Sequence, residues 1–407
     1  MIHVCFGLHD KTGRYAKFTG TAMLSLFDNT TSEVTVHILH DNTLTQDNRE
    51  KFIYLAGRYN QLVKFYNVEE LCADKIAKFI EYIPHVKTSR LTIGALYRLL
   101  IPHLLSEDIR KVIYLDADIV VNLDIRKLWQ IELGDKILAA VSEVSNDIDI
   151  ERYAKLCYEG YVKREDYFNS GVLLMNVKNL RLEDEAITDG IKFVGNFFTS
   201  SCLDQEVLNY SFSTNYIKLP VRFNYFIKSH RNPKDIIIDN KIYHYTDSPS
   251  GKGFGLNMID RFNRLWPSYF IKTPFFNEET IGRLYSSVQN LHVELKQSMI
   301  NVSAMMSGKT RAFFTTPDNV AALREIFSVR KDESIILAES EQSFQKLIDA
   351  MKKAKGKKVF FIVLPNFPFN LLIQEGFVPG KDFVNGLEFL SEAQGLPLNS
   401  YPFVLAM

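Results

Sequence analysis

Two carboxylates one residue apart, Asp116 and Asp118, interrupt the run Lys111-Val-Ile-Tyr-Leu-Asp-Ala-Asp-Ile-Val-Val121. The β-branched and apolar residues around them read as a buried strand. An ionised carboxylate is costly to bury unless it is paired or holds a metal. Asp116-Ala117-Asp118 at the end of a core strand therefore points to a divalent cation holding a polyphosphate. Oxygen donors suit manganese or magnesium, which keep part of their shell for waters and substrate oxygens. Two solvated aspartates are the alternative, and the tripeptide alone leaves both open.

Four further groups could share that chemistry. His244 ends an apolar run and precedes Asp247-Ser-Pro-Ser-Gly251-Lys252-Gly253. It reads either as a metal ligand beside a phosphate loop or as a satisfied core histidine. Arg98 lies in Ser89 to Leu105, an apolar stretch at helical spacing. Its planar donor fork fits a phosphate or ribose, and equally a surface ion pair. Asn169-Ser170-Gly171 opens the apolar strand Tyr167 to Val177, and glycine there permits close backbone approach to a ligand. Asp204-Gln205-Glu206 opens a helix; capping explains Asp204 better than Gln205.

These residues need a scaffold. Ile2 to Leu8 reads as a strand, His9 to Tyr15 as a loop, Ala16 to Phe27 as a helix and Val34 to His40 as a strand. That order opens a parallel α/β sheet, whose ligands sit at the carboxyl ends of strands. Asp10 would accept a base N–H in the first loop and Tyr15 would stack on a base, unless the loop is merely solvated. A helix over Asp47 to Leu55, a strand over Val63 to Tyr66, an N-cap at Asp124 and a strand over Ile236 to Tyr243 complete this part.

From Trp266 the texture changes: Tyr269, Phe270, Phe275 and Phe276 form an aromatic junction, followed by a helical stretch to about Ile300. Strands at Ala312 to Thr315, Ile335 to Ala338 and Val359 to Leu364 enclose an amphipathic helix with Phe344, Leu347, Ile348 and Met351 at i, i+3, i+4 and i+7. Its lysine-rich end reads as a solvated terminus. No dinucleotide glycine pattern follows Val359. The expected domains are 1–265, a linker 266–305 and a small α/β unit 306–407.

The 407 residues are 46% hydrophobic with a formal net charge of +0, which offers no field for nucleic acid or an anionic membrane. Cys5, Cys72, Cys157 and Cys202 lack metal spacing and read as reduced thiols. Met1 begins directly as a strand, and no apolar run is long enough to cross a bilayer. The expected location is cytoplasmic.

Taken in order, Tyr97-Arg98-Leu99, Tyr114-Leu-Asp116-Ala-Asp118, Tyr167-Phe-Asn169-Ser170-Gly171-Val-Leu-Leu, Asp204-Gln205, Arg222-Phe-Asn224 and His244-Tyr resemble bacterial glycosyltransferase family 8, retaining enzymes of GT-A fold. The resemblance covers about residues 1 to 265. It implies a UDP-sugar donor, manganese (or magnesium) on Asp116, Asp118 and His244, and uracil at Asp10 and Tyr15. It further implies Arg98 near the donor sugar and phosphate, Asn169 and Asp204 on sugar hydroxyls, and Gln205 beneath the anomeric carbon. The family's His-x-x-Gly-x-x-Lys-Pro-Trp is replaced here by a longer spacing to Gly251-Lys252-Gly-Phe254. The implied activity is transfer of galactose, or glucose, to a bacterial surface glycan or glycoprotein. The C-terminal unit resembles add-ons of streptococcal enzymes acting on serine-rich-repeat adhesins, leaving peripheral membrane or partner-enzyme contact open to it. A sugar-nucleotidyltransferase would need a glycine-rich triphosphate loop that Gly7-Leu-His-Asp10 does not supply. A silent partner of another transferase would be expected to lack Asp116, Asp118 or His244.

Overall fold

Central strands fed by apolar residues on both faces explain why this sequence shows continuous apolar runs rather than alternation. The strands are β1 Ile2–Leu8, β2 Val34–His40, β3 Leu62–Asn67, β4 Lys111–Leu115, β5 Ile119–Asn122, β6 Leu138–Ser142, β7 Phe168–Asn176, β8 Tyr216–Lys218, β9 Tyr225–Phe226 and β10 Lys241–His244. Seven of them form one mixed, mostly parallel sheet in the order β3-β2-β1-β4-β7-β6-β8, in which β7 runs antiparallel to β4 and β6. Val4 and Phe6 of β1, Ile113 and Leu115 of β4, and Val172 and Leu174 of β7 enter one core. Cys5, Val112, Tyr114, Leu173 and Met175 enter the other. In this computed structural model the chain divides into two units, Met1–Phe276 and Asn277–Met407. The structure describes residues 1–11, 15–83, 93–146, 154–197, 202–227, 238–246, 261–278, 282, 308–317, 320, 324, 329–331, 333–355, 357, 359–363, 369–379 and 381–385.

Four expectations change. The run from Lys111 to Val121 is two strands, not one: β4 stays in the large sheet, while β5 joins a three-stranded sheet, β5-β10-β9. The Asp116 N–H donates to the Gly171 carbonyl at 2.8 Å, and the chain then turns out of the large sheet. The helix expected over Ser89 to Leu105 is a 3-10 run, Ile93–Leu100, followed by one α-turn, Ile101–Leu104; residues 84–92 lie outside the described set. Pro102 has no N–H for the carbonyl of Arg98 and its ring crowds that carbonyl, so a continuous α-helix is excluded. Asp124 does not cap by occupying the N-cap position, which is Ile125; its Oδ1 accepts from the Arg126 N–H at 2.9 Å. β6 carries no strand signal in the sequence, because Leu138-Ala-Ala-Val-Ser142 is short and buried throughout, with no alternation to mark it.

The aromatic segment expected to begin a linker belongs to the first unit. Trp266, Tyr269, Phe270 and Phe275 are buried in its core. Trp266 and Phe270 stack at 4.8 Å, and Phe275 lies 5.2 Å from Phe52. The helical stretch expected to run to Ile300 falls on residues mostly outside the described set.

The second unit carries a four-stranded parallel sheet of β11 Thr310–Thr315, β12 Ser334–Leu337, β13 Val359–Val363 and β14 Phe383–Asn385, ordered β12-β11-β13-β14. Helix Glu341–Ala354 starts with a Ser340–Ser343 capping box and buries Leu347, Ile348 and Met351 as its spacing requires. Lys352 at its basic end pairs with Glu375. Among the described residues no helix is long and apolar enough to cross a membrane.

Two histidines of the first unit set an acid limit on its stability. On β1 and β2, His3 Nδ1 and His37 Nε2 are 3.0 Å apart, and His37 Nδ1 is 3.0 Å from the Tyr66 hydroxyl. Burial, reinforced by the charges of His3 and Lys64, pushes His37 down from 6.5 to about 3. A folded value below the unfolded one means that the unfolded chain binds the extra proton, so stability is full above pH 6.5 and falls as the pH drops toward 3. The contribution is of order several kcal/mol, at about 1.4 kcal/mol per unit. Chemical denaturation at pH 7.5, 5 and 4 should show the wild type losing more stability than His37→Gln; parallel losses would refute this.

Candidate active site

The site forms where the two sheets of the first unit part company. Because β10 pairs antiparallel with β5, His244 stands opposite Ile119, and the Tyr245 N–H donates to the Asp118 carbonyl at 3.0 Å. Residues more than a hundred positions apart thus converge: His244 Nε2 is 3.2 Å from Asp118 Oδ1 and 3.9 Å from Asp116 Oδ2. One donor atom from each of the three lies within 4.8 Å of the others. An octahedral ion with bonds near 2.1 Å separates adjacent donors by about 3 Å, so the set suits a divalent cation that takes oxygen and imidazole ligands. Burial raises the Asp116 carboxyl above its ordinary range; the charge of Asp118 adds to the rise, while Arg98 opposes it. Gly171 closes the cradle. A Cβ there would lie 2.3 Å from His244 Cε1 and 2.8 Å from Asp116 Oδ2.

Arg98 is buried rather than on the surface. It donates to Asp116 Oδ1 at 2.7 Å and to the Ser170 carbonyl at 2.7 Å, and its Nε is 3.2 Å from Asp204 Oδ2. Two carboxylates thus share one buried guanidinium, in place of the surface ion pair that the sequence left open. Ser170 Oγ donates to Asp204 at 2.8 Å, which binds the start of β7 to helix Leu203–Phe212.

Gln205 uses all its hydrogen-bonding capacity. Its Oε1 accepts from Asn169 Nδ2 and the Ser170 N–H, both at 3.0 Å; its Nε2 donates to Glu143 Oε1 at 3.1 Å and the Tyr167 hydroxyl at 3.2 Å. Asn169 also donates to Glu143 Oε1 at 2.9 Å, and its Oδ1 accepts from the Gly171 N–H at 2.9 Å and Asn224 Nδ2 at 2.7 Å. Asn224 Oδ1 lies 2.9 Å from His244 Nδ1. Next along the helix, Glu206 accepts from the Lys155 N–H, and burial pushes its carboxyl up to about 7.

Asp10 is not part of a solvated loop. It is 2% exposed, and its oxygens accept from the Tyr15 N–H at 2.6 Å, the Ala16 N–H at 3.1 Å and Asn48 Nδ2 at 3.3 Å. A carboxylate at the N-terminus of helix Ala16–Asn29 is favoured by the helix dipole. Tyr15 packs edge-on against Phe18, and burial, then the charges of Asp118 and Asp116, raise its phenol above the usual range. Gly251 and Lys252 lie outside the described residues.

Sequence reasoning assigned no role to Glu143, Asn224 or Tyr167, nor to Asp41, which accepts from Tyr97 at 2.6 Å and from His9 at the end of β1. Glu143 follows the strand whose signal was missing. Asn224 stood inside a quoted motif, yet nothing in its neighbours says that it faces a histidine twenty residues on.

The sequence model of glycosyl transferase family 8 matches residues 8–250. The chain is 27% identical over 241 residues to lipopolysaccharide 1,2-glucosyltransferase of Escherichia coli, covering 54% of this chain and 65% of that protein. It is 29% identical over 143 residues to glycosyltransferase GlyB of Streptococcus pneumoniae, covering 35% of this chain and 31% of GlyB. The solved structure of galactosyltransferase LgtC with donor and acceptor sugar analogues superposes with a TM-score of 0.52 at 21% identity, over 69% of this chain and 99% of LgtC. At that identity the likeness concerns the fold, and the fold is GT-A-like. The matched stretch exceeds half of the 407 residues and takes in both aspartates, the Asn169 strand, Gln205 and His244; the chain belongs to glycosyltransferase family 8.

Proposed function

We propose that this transferase moves galactose, or alternatively glucose, from a UDP-sugar to a sugar hydroxyl of a bacterial surface glycan or glycoprotein, with retention at the anomeric carbon. The observation that carries the reading is the continuity of the Asp116–Asp118–His244 cluster with the Asn169–Gln205 network through Asn224. Donor diphosphate and donor sugar need such neighbouring sites. Galactose is named first, with LgtC as a fold neighbour; a relative named a glucosyltransferase keeps glucose in view.

Asp116, Asp118 and His244 would hold manganese, with magnesium as the alternative. When bound, the ion supplies positive charge against the diphosphate as the leaving group departs. Asp10 and Tyr15 would take the uracil, and Lys252 with Gly251 the β-phosphate. Arg98 holds Asp116 and Asp204 in place and lends its charge to the donor sugar side. Asn169, Ser170 and Asp204 would orient sugar hydroxyls. Gln205 has no acid–base role at neutral pH, and both of its oxygen's acceptor positions are filled by Asn169 and Ser170. Forming a bond to carbon would strip two buried donors of their partner, which is costly. We therefore favour front-side attack, with the acceptor hydroxyl losing its proton to the departing phosphate, over a double displacement. To the C-terminal unit we assign acceptor positioning or partner contact.

The test is turnover of a panel of UDP-sugars with manganese, followed by product NMR. An α-linked donor should give an α-linked product, read from the anomeric coupling. A β-linkage would refute retention, and turnover of a nucleoside triphosphate with a sugar phosphate would point to a nucleotidyltransferase instead.

A further inference from the structure

Glu143 belongs to no sequence motif, yet it is 1% exposed and anchors a buried polar network. Its backbone N–H donates to the Tyr167 carbonyl at 3.0 Å, which fixes the residue at the end of β6. Its Oε1 accepts two amide protons, from Asn169 and Gln205. A carboxylate is acceptor-only, so both amides must present nitrogen to it.

The directions along the rest of the network then follow without choice. The Ser170 and Gly171 backbone N–H groups can only donate, so Gln205 Oε1 and Asn169 Oδ1 must face them. Asn169 Oδ1 also receives Asn224 Nδ2, so the oxygen of Asn224 is turned to His244 Nδ1. That oxygen accepts, so Nδ1 carries a proton. The ring nitrogen left for a lone pair is Nε2, the one facing Asp118 and Asp116. An outer partner that sets which imidazole nitrogen is bare controls the ring's quality as a ligand.

We propose that Glu143 is a positioning residue that acts through Asn169 and Asn224 to hold His244 in its metal-binding tautomer, while the same oxygen holds Gln205. One carboxylate thereby ties the geometry of the cation site to that of the sugar site. This rests on the reading of Asp116, Asp118 and His244 as cation ligands. If the network were merely structural, losing Glu143 would lower stability and leave ion affinity unchanged.

The experiment is manganese binding to the full chain, without donor, read from the EPR signal of the free ion. The proteins are the wild type, Glu143→Met, Glu143→Gln, Asn224→Leu and the Glu143→Met/Asn224→Leu double variant. Methionine fills the glutamate's volume without an acceptor; glutamine keeps an acceptor oxygen and should recover most of the loss. Glu143→Met and Asn224→Leu should each weaken manganese binding about 10- to 100-fold, the usual range for outer partners of a ligand histidine. Acting on one pathway, the double variant should be no weaker than the weaker single variant. Unchanged affinity in Glu143→Met, or losses that multiply in the double variant, would overturn the relay. A wild type that binds no manganese would overturn the cation reading, and the relay with it. Should the variants fail to fold, side-chain ¹⁵N NMR of the wild type loaded with magnesium decides: the relay requires the proton of His244 on Nδ1, and a proton on Nε2 refutes it.

Discussion

Gly171→Ala is expected to abolish manganese binding and to cut sugar transfer by at least about 10²-fold, the penalty for misplacing reacting groups by about an ångström. A single methyl would stand 2.3 Å from His244 Cε1, 2.8 Å from Asp116 Oδ2 and 3.0 Å from Asn169 Oδ1. None of these can yield cheaply: His244 is tied to Asn224, Asp116 to Arg98, and Asn169 to Glu143. The requirement at Gly171 is for space and not for backbone freedom, since it is not among the positive-φ glycines. Gly57→Ala is the matched control, because a Cβ there meets nothing within 4 Å and the residue lies in helix Gln46–Arg58. It should leave ion affinity alone and add up to about 1 kcal/mol of stability. Binding and transfer are to be measured on both variants after circular dichroism shows them folded. Wild-type manganese affinity in Gly171→Ala would show that the cation sits elsewhere.

The second large effect concerns Asp118. Asp118→Ala should lower turnover of the UDP-sugar at least about 10²-fold, the scale for removing one element of preorganised electrostatic stabilisation. Chelation by EDTA should abolish turnover in the wild type, and added manganese should restore it. Asp118 is the carboxylate nearer the histidine, at 3.2 Å against 3.9 Å for Asp116, so the variant leaves His244 Nε2 facing one carboxylate. Asp116 is a poorer probe, because Arg98 leans on it and its loss would leave a buried guanidinium facing Asp204 alone. Full activity in EDTA, or near wild-type turnover in Asp118→Ala, would refute a metal-assisted reaction.

Much of the sheet could be read from local pattern, and β1 and β2 have the bounds that their apolar runs suggested. Strongly apolar, β-branched segments bounded by polar loops carry their own signal. Helix Glu341–Ala354 shows the same for the 3.6-residue period. Where the reading failed, a competing term was at work: a proline inside a helical pattern at Pro102, and a strand with no polar partner residues at Leu138–Ser142.

By itself the sequence determined which chemistry was available. Two aspartates in an apolar run, a histidine at a strand end, an Asn-Ser-Gly strand opening and Asp204-Gln205 at a helix start name the donors, since residue type and local spacing decide what can ligate or hydrogen-bond. Only the tertiary structure decided how they meet. The break after Leu115 sends Ile119–Asn122 to a second sheet, and antiparallel pairing there brings His244 to Asp118 across more than a hundred residues. It also decided that Arg98 and Asp10 are engaged within the protein, and that Glu143, silent in the sequence, stands behind both halves of the site. The physical reason is that strand pairing and the direction of a buried hydrogen bond depend on groups distant in the chain, which no local pattern encodes.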